Sequence, residues 1–361
     1  MASTSPLSRL SEQAPSLTRQ EHKITSIDGT EISLWRIASS ANPEGMPQPA
    51  LIYIHGGAFI FRNIDISTVD LATFNDHLIH RLGPDSLDPR GCVILYVSYR
   101  LATKSPFPAP VEDVGAAYEY ALQHADDLGI LSDKICLVGV RAGGNLAWAA
   151  VHMALDKGLP APCGLVAISP MLDPDATWDK HRAPIRLEAR DNLRRGWETY
   201  LVRLSDVPKP LQKYARLLQL SREDLAKLPP VYMDVGTEDC FAVEVLQAME
   251  MLKGADVELD TQVVKGMEQS FEIPLYKKDP ANKTLQRVWE ARRSFLRKVH
   301  TSGQGGSRRR SRLSAPKPTD TATATKDVQL NRRRAPPNES SARSQRRESR
   351  RLRGEPPEYG V

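Results

Sequence analysis

The sequence predicts an α/β fold with a mostly parallel, doubly wound sheet and a helical cap. Short apolar runs alternate along the chain with longer stretches of helical spacing, an order typical of such sheets. Residues 173–228 break this alternation and are rich in Arg, Leu and Trp, so we interpret them as an insertion that forms the cap. The length of 361 residues and the 40% hydrophobic content suit one large domain with extra segments.

Short apolar runs predict the strands of the sheet. Continuous runs of this kind are typical of strands buried on both faces, and they occur at Ala50–Ile54, Cys92–Val97, Ile135–Val138, Gly164–Ile168 and Val231–Val235. Two other segments alternate apolar and polar residues. Lys23–Ile37, with a turn at Asp28 and Gly29, predicts a β-hairpin at the sheet edge, and Val257–Val264 predicts a last strand.

Helical spacing of apolar residues predicts the helices that cover this sheet. These segments are Ile66–Leu82, Val111–Leu128, Asn145–Lys157, Ala242–Lys253 and Ala281–His300. Residues 1–22 are rich in Ser and Pro, and we expect them to form a loose N-terminal part of the cap. The folded domain is then expected over residues 23–300.

The composition changes at Thr301, where Ser, Thr, Pro and Arg replace the large apolar residues. Residues 301–361 contain 15 basic and 6 acidic side chains, a net charge of +9. Since the whole chain has a net charge of +5, residues 1–300 carry −4. Such a segment buries too little surface to offset its ordering entropy, and we expect it to be a disordered basic tail. Its arginine runs predict a nucleic acid, an anionic surface or an import receptor as partner, whereas a solvated tail without a role and a gene-model artefact are the alternatives.

Several classes of protein are not favoured by the sequence. No apolar stretch has the length of a membrane span, and the N-terminus has no apolar signal core, so a cytoplasmic location is expected, with a nuclear one possible through the tail. The four cysteines follow no metal or redox spacing and are interpreted as small buried residues of a reducing compartment. We therefore expect no metal site and no cofactor.

One stretch, Cys136–Asn145, has the layout of a nucleophile elbow. Such an elbow is a sharp strand-to-helix turn that lifts one side chain to the top of a parallel sheet, and its pattern is Gly-x-Ser-x-Gly. The two glycines are present at Gly139 and Gly143, but Arg141 stands at the serine position. The stretch therefore has the frame of a hydrolase active site without the expected nucleophile.

Separated motifs follow one another in the order of a known family. They are HGGAF at His55–Phe59, VSYRLA at Val97–Ala102, PFPAPVED at Pro106–Asp113, GVRAGGN at Gly139–Asn145, SPMLD at Ser169–Asp173 and GTEDC at Gly236–Cys240. With these motifs, the chain from about Lys23 to His300 resembles the hormone-sensitive-lipase-like carboxylesterases, a branch of the α/β-hydrolases. The resemblance implies an α/β-hydrolase fold whose relatives cleave esters with a serine, a histidine and a carboxylate.

The resemblance also implies which residues occupy the site. The backbone at Gly56 and Gly57, together with the N–H of Ala142, would form the oxyanion hole. Asp239 occupies the place of the triad carboxylate, although an isolated Asp before a helix is also a common N-cap residue. Gln269, which lies 30 residues further along, occupies the place of the histidine.

Two of the three triad positions depart from the family pattern. The guanidinium of Arg141 stays protonated and is no nucleophile, and the amide of Gln269 is no base near neutral pH. The loss is coherent, because a histidine has no role once the serine is gone. Val140 replaces the Asp that usually precedes the serine, and Ala58 replaces a third glycine of the oxyanion motif.

The arginine at the elbow leads to a specific structural hypothesis. An elbow residue is usually held at positive φ, a strained conformation that presents the nucleophile. Because an arginine is not a nucleophile, we expect the turn to relax. Arg141 is then predicted to pair with Asp239 or to present its charge to an anionic ligand, with a solvent-facing side chain as the alternative. Arg100 and Asp113 are predicted to be structural, tying a turn to the following helix.

Three functions remain open at this point. The first is a carboxylesterase relative without serine-hydrolase turnover, which binds a small organic ligand, such as an ester or a carboxylate, or serves non-hydrolytically in small-molecule metabolism. The second is an active ester hydrolase with an unorthodox mechanism, although Cys240 and Ser270, which flank the site, have no histidine placed beside them by the sequence. The third is a protein-interaction module that uses the basic tail.

Overall fold

The computed structural model describes residues 17–39, 46–62, 65–69, 78, 92–176 and 187–302. The strands of this part of the chain are β1 (Leu17–Thr25), β2 (Glu31–Ser39), β3 (Gln48–Ile54), β4 (Val93–Ser98), β5 (Ile130–Val140), β6 (Gly164–Ile168), β7 (Val231–Glu238) and β8 (Leu259–Glu268). They form one sheet in the order β1-β2-β4-β3-β5-β6-β7-β8. Strand β2 pairs antiparallel with both β1 and β4. The six strands β4, β3, β5, β6, β7 and β8 pair in parallel, so the predicted sheet is confirmed.

Helices connect and cover the strands. Within the described residues they are α1 (Ala109–Gln123), α2 (Ala125–Leu128), α3 (Ala142–Asp156), α4 (Leu187–Tyr200), α5 (Lys209–Gln212), α6 (Arg222–Leu225), α7 (Ala242–Gly254), α8 (Glu272–Lys278) and α9 (Lys283–Thr301). Among them no helix has both the length and the apolar character that a membrane crossing requires. Most of the helix predicted over Ile66–Leu82, and the tail beyond residue 302, lie outside the described residues.

The N-terminal strand corrects one prediction. Residues 1–22 were expected to be loose, but β1 begins at Leu17 and pairs with β2 over its whole length, from Leu17 with Ser39 to Thr25 with Glu31. Most side chains of β1 are exposed and polar, because it is the edge strand. Strand β1 is held by its backbone hydrogen bonds to β2, and the pattern of apolar residues in the sequence does not reveal such bonds.

The core lies in two layers, one on each face of the sheet. Alternate residues of a strand point to opposite faces, so Ile52 joins a layer with Trp148 of α3 and Val245 of α7, whereas Tyr53 joins a layer with Phe295 of α9. Helix α3 is buried along almost its whole length, because its residues are mostly Ala, Gly and large apolar side chains. The helix that follows the elbow is therefore held firmly in the first layer.

The elbow itself keeps the strained geometry that the sequence analysis expected it to lose. Arg141 stands between β5 and α3 with φ 54° and ψ −115°, so the expected relaxation of the turn is wrong. Its N–H donates to the carbonyl of Ile168 at 3.0 Å, and its own carbonyl accepts from Gly144 at 2.8 Å and from Met171 at 3.1 Å. Both backbone groups of the residue are thus fixed by neighbours on either side.

Close backbone contacts explain why the turn does not relax. A Cβ on Gly139 would lie 2.2 Å from the carbonyl oxygen of Gly143, and a Cβ on Gly143 would lie 2.2 Å from that of Ile54. The start of α3 is therefore pressed against both its own strand and the end of β3. These contacts involve no atom of the Arg141 side chain, so they impose positive φ on any residue at that position.

The Arg100–Asp113 pair has the structural role predicted for it. The guanidinium donates to both carboxylate oxygens of the fully buried Asp113 at 2.7–3.1 Å, and the backbone N–H of Arg100 donates to it at 2.8 Å. Arg100 also donates to Asp28 at 2.6 Å, in the turn between β1 and β2. The pair joins the hairpin, the end of β4 and helix α1.

A second ion cluster is buried beneath the C-terminal helices. Arg292 of α9 is fully buried and donates to Asp234 of β7 at 2.6 Å and to Glu272 of α8 at 2.8 Å. Burial disfavours the charge on Arg292, but the two carboxylates outweigh it and raise its pKa. Burial also raises the pKa of Asp234, against the effect of the guanidinium. The cluster fixes α8, and with it the loop that follows β8.

The strain at Arg141 predicts an unusual order of stability for two variants. Arg141→Gly and Arg141→Ala both remove the side-chain contacts, but only Ala keeps the cost of positive φ, which is about 1–3 kcal/mol. We expect the Gly variant to be the more stable by about 1 kcal/mol, because the entropy that Gly adds to the unfolded chain offsets part of the strain that it removes. Urea unfolding followed by circular dichroism measures the difference. An Ala variant as stable as the Gly variant, or more so, would show that the turn relaxes.

The buried cluster predicts a large loss of stability on removing its cation. Arg292→Met leaves two carboxylates buried without their counter-ion, and the expected loss is about 3–5 kcal/mol. Arg297→Met on the same helix is the matched control, because its pair with Glu290 is largely exposed and the expected loss is below about 1 kcal/mol. The urea midpoints of both variants test this, and equal losses would contradict the role assigned to Arg292.

Candidate active site

The carboxyl ends of three strands in the parallel part of the sheet, β5, β7 and β8, bring the predicted site residues together. Arg141 follows β5, Asp239 follows β7 and Gln269 follows β8. The last two strands are paired through Glu238 and Glu268, the residues immediately before Asp239 and Gln269. The structure therefore places all three candidate triad positions at one edge of the sheet, where ligands bind in open α/β folds.

The Arg141 side chain lies in the site, and its contact differs from the one predicted. Its Nη2 donates to the hydroxyl of Ser270, next to Gln269 on the loop after β8. Ser270 is itself held at φ 61°. The alternative of a solvent-facing arginine is thus wrong. The structure shows a hydrogen bond from Arg141 to the neutral hydroxyl of Ser270. Asp239 accepts hydrogen bonds from Ser169 and Phe241.

Asp239 has two other partners. It is only 2% exposed, and its carboxylate accepts from the hydroxyl of Ser169 at 2.7 Å and from the N–H of Phe241 at 2.9 Å. The second contact forms an Asx-type turn before α7, whose N-cap residue is Phe241, so Asp239 does not take the N-cap role that was its alternative. Ser169, which closes β6 at φ 44°, thus supplies the hydroxyl that a buried carboxylate requires.

The oxyanion loop follows β3 and keeps the backbone shape of a glycine-rich motif. Gly57, Ala58 and Phe59 all have positive φ, at 119°, 49° and 64°. Ala58 thus adopts the conformation of the glycine it replaces. Within the described residues, the carbonyl of Gly57 accepts two backbone hydrogen bonds, while the amides of Gly56 and Gly57 donate none. Ala142 begins α3, so its N–H also has no partner inside the helix.

His55 supports this loop and is not placed as a base. Its Nδ1 lies 2.5 Å from the carbonyl of Gly56, and its ring stacks on Tyr99 with centroids 4.3 Å apart. Burial lowers the pKa of His55 to about 4, although the bond to Gly56 opposes this. The ring is therefore neutral at neutral pH, and it orients the oxyanion loop from below.

The cap is closed onto the oxyanion loop by aromatic contacts. Phe59 stacks on Tyr200 of α4 with centroids 4.0 Å apart, and Trp197 of the same helix lies 4.9 Å from Phe59. Gly196 allows the approach, since a Cβ there would lie 2.4 Å from the carbonyl oxygen of Ala58. The sequence placed the cap over the strand ends but gave no residue of this contact.

A cavity of about 370 Å³ lies beside α4. Its lining residues come from that helix and from the loop after β6, namely Pro174, Asp175, Ala176, Arg194, Trp197, Glu198 and Leu201. The loop reaches the elbow at Met171, whose N–H donates to the carbonyl of Arg141. No group of three or more His, Cys, Asp or Glu side chains suited to a metal ion occurs among the described residues.

Sequence reasoning overlooked the partners of the site residues. Ser169 was considered only as the end of a strand, and Ser270 only as an unpromising nucleophile. Both take contacts that the family pattern gives to the histidine, which joins the carboxylate to the nucleophile. Nothing in the sequence pairs Ser169 with Asp239, 70 residues away, or Ser270 with Arg141, 129 residues away.

Known proteins resemble this chain in sequence. Residues 51–273, more than half of the chain, match a family described by its alpha/beta hydrolase fold. An acetyl-hydrolase of Streptomyces hygroscopicus is 34% identical over 193 residues, covering 52% of this chain and 56% of that protein. Esterase LipI of Mycobacterium tuberculosis is 27% identical over 226 residues, covering 60% of this chain and 64% of that protein. The chain thus spans less than two thirds of either relative.

A solved structure agrees with the match in sequence. Brefeldin A esterase, a bacterial homologue of human hormone-sensitive lipase, has a TM-score of 0.64 and 22% identity, covering 83% of this chain and 80% of that one. At this identity the likeness shows the fold alone. Together with the family match and the order of the motifs, it establishes that the chain belongs to the α/β-hydrolases, in the hormone-sensitive-lipase-like branch that is related to carboxylesterases.

Proposed function

We propose that this carboxylesterase relative binds a small organic carboxylate and does not turn over esters by a serine mechanism. The observation that carries the proposal is the position of the Arg141 guanidinium. It stands at the elbow, where a hydrolase presents its nucleophile, and it is directed to Ser270 on the loop where a hydrolase presents its histidine. A fixed positive charge in that place favours an anion over an ester.

The contacts of two hydroxyl groups at the site support the first part of the proposal. An acyl transfer needs a group that takes the proton of the attacking hydroxyl. The Ser169 hydroxyl donates to Asp239, and the Ser270 hydroxyl accepts from Arg141, a permanently protonated group. A guanidinium removes no proton from Ser270. Gln269, in the histidine position, has no basic nitrogen.

The donors that surround the site support the second part. A carboxylate binds tightly to charged N–H donors, and Arg is well suited to it because its planar fork matches the two oxygens. Backbone amides of Gly56, Gly57 and Ala142 add neutral donors, the last of them at the first residue of a helix. The cavity of about 370 Å³ beside α4 is of the size that holds a small organic molecule, and the loop that lines it, to which none of these donors belongs, reaches the elbow at Met171.

Turnover distinguishes this proposal from an ester hydrolase. We expect wild-type protein to hydrolyse p-nitrophenyl butyrate no faster than Asp239→Ala, and a fluorophosphonate probe to leave it unlabelled, because the hydroxyls of Ser169 and Ser270 contact a carboxylate and a guanidinium and not a histidine. The double variant Arg141→Ser/Gln269→His restores both missing groups, so it should react with the probe at the new serine. Mass spectrometry of the labelled peptide identifies the site.

One result would favour the alternative of an unorthodox hydrolase. Labelling of the wild type that Ser270→Ala abolishes, together with esterase activity that depends on Asp239, would make Ser270 a working nucleophile. The elbow arginine would then orient that serine, and the first part of the proposal would be wrong.

Ligand binding tests the second part independently. We expect acetate, butyrate or benzoate to raise the melting temperature of the wild type at matched ionic strength, and Arg141→Gln to weaken the best binder at least about tenfold. This corresponds to the loss of about 1.5–3 kcal/mol expected for a charge-assisted bond. Arg222→Gln is the matched control, since that side chain is largely exposed on α6 and does not line the cavity. Equal binding of butyramide and butyrate, or equal losses in both variants, would contradict recognition by Arg141.

A further inference from the structure

A cluster of reactive groups lies at the opposite end of the sheet from the elbow. Cys163 immediately precedes β6, and its N–H donates to the carbonyl of Ile135 at 2.9 Å. In the next residue pair, Cys136 of β5 is in register with Gly164 of β6. Adjacent strands are about 4.8 Å apart, so the two cysteines are neighbours across the β5–β6 ladder. Both belong to the same apolar layer, Cys136 fully buried and Cys163 partly exposed.

The end of α9 completes the cluster. A Cβ on Gly164 would lie 3.2 Å from Phe295 and from Val299, so the last turns of α9 pack directly on the start of β6. The next residue, His300, places its imidazole beside the sulfur of Cys163. Lys134 of β5 donates to the carbonyl of Ser302 and brings a positive charge to the same place.

These neighbours distinguish Cys163 from the other cysteines. The thiol of Cys136 donates a hydrogen bond to the Cys163 sulfur and, with help from His300 and Lys134, lowers the pKa of Cys163 to about 6, against the effect of burial. Burial raises the pKa of Cys92 to about 12, and it also raises the pKa values of Cys136 and Cys240. The carboxylate of Asp133, which pairs with Lys134 at 3.7 Å, is largely exposed. The lowered pKa favours the thiolate at Cys163 over the thiolates of the three other cysteines.

We propose that Cys163 is a modification site for hydroperoxides and that Cys136 is its resolving partner, so that oxidation joins β5 and β6 by a disulfide. The Cys163 thiolate attacks the terminal oxygen of the hydroperoxide. An S–O bond forms, the O–O bond breaks, and the departing alkoxide takes a proton to leave as the alcohol.

The second step closes the disulfide. The Cys136 sulfur bonds to the sulfur of the Cys163 sulfenic acid, the S–O bond breaks, and the Cys136 proton leaves with the hydroxide as water. The two thiols together lose two electrons, and the hydroperoxide is reduced. Since Cys136 and Cys163 lie in the same apolar layer on neighbouring strands, the second step needs only a short approach between them.

Peptide mass spectrometry of the full chain tests the proposal. After brief treatment with tert-butyl hydroperoxide at pH 7, we expect a Cys136–Cys163 disulfide in the wild type. In Cys136→Ala the same treatment should yield a sulfenic acid at Cys163 that dimedone traps. The buried Cys240 is the internal control and should remain reduced. Oxidation of Cys163 no faster than Cys240, or a stable Cys163 sulfenic acid in the wild type, would overturn the proposal.

The pH dependence separates this chemistry from simple exposure of the thiol. We expect the rate of Cys163 alkylation by iodoacetamide to rise through a midpoint near pH 6 in the wild type. Removing its hydrogen-bonding neighbours in Cys136→Ala/His300→Gln should move that midpoint towards the value of an ordinary thiol, about 8.5, and slow alkylation at pH 6 about tenfold or more. A midpoint unchanged by the two substitutions would also overturn the proposal.

Discussion

The contact of helix α3 with the ends of β3 and β5 is the constraint on which the site depends. Gly143 approaches the carbonyl of Ile54 so closely that no side chain fits between them, and Gly139 has the same relation to Gly143. The chain must therefore turn from strand to helix within one residue, and that residue takes positive φ. The geometry of the turn is determined by backbone contacts and by the packing of the almost fully buried helix α3. The identity of residue 141 decides only which chemical group is lifted into the site.

This separation of frame and chemistry explains the placement of Arg141. The backbone N–H and carbonyl of Arg141 are held by Ile168, Gly144 and Met171. These bonds keep the residue at its strained positive φ whatever its side chain. The guanidinium is carried to the loop after β8, whose position depends on α8 and thus on the buried ion cluster around Arg292. Two distant features, a tight turn and a buried charge network, thereby fix one contact, between Arg141 and Ser270.

Much of this could be predicted from the sequence, and the failures share one physical cause. The strand Gly164–Ile168 was placed correctly, because its run of apolar residues is a local pattern. The edge hairpin was predicted, but its first strand begins at Leu17 and not at Lys23, because the residues before Lys23 are mostly polar and are ordered by pairing with β2. The relaxed elbow was wrong because it was argued from the side chain of residue 141, whereas contacts between distant backbone segments determine the turn. The partners of Arg141 and Asp239 likewise depend on tertiary neighbours that no local pattern reveals.

The retention of Asp239 requires an explanation of its own, because a carboxylate in the triad position invites the conclusion that a triad exists. A buried carboxylate is costly unless its oxygens are satisfied, and here each oxygen has a donor, Ser169 on one side and the N–H of Phe241 on the other. Both donors are independent of any histidine. Asp239 therefore links the end of β6 to the start of α7, and replacing it would leave the Ser169 hydroxyl and an N-terminal amide of the helix without their acceptor. Its presence follows from the fold, and it is compatible with a glutamine at position 269.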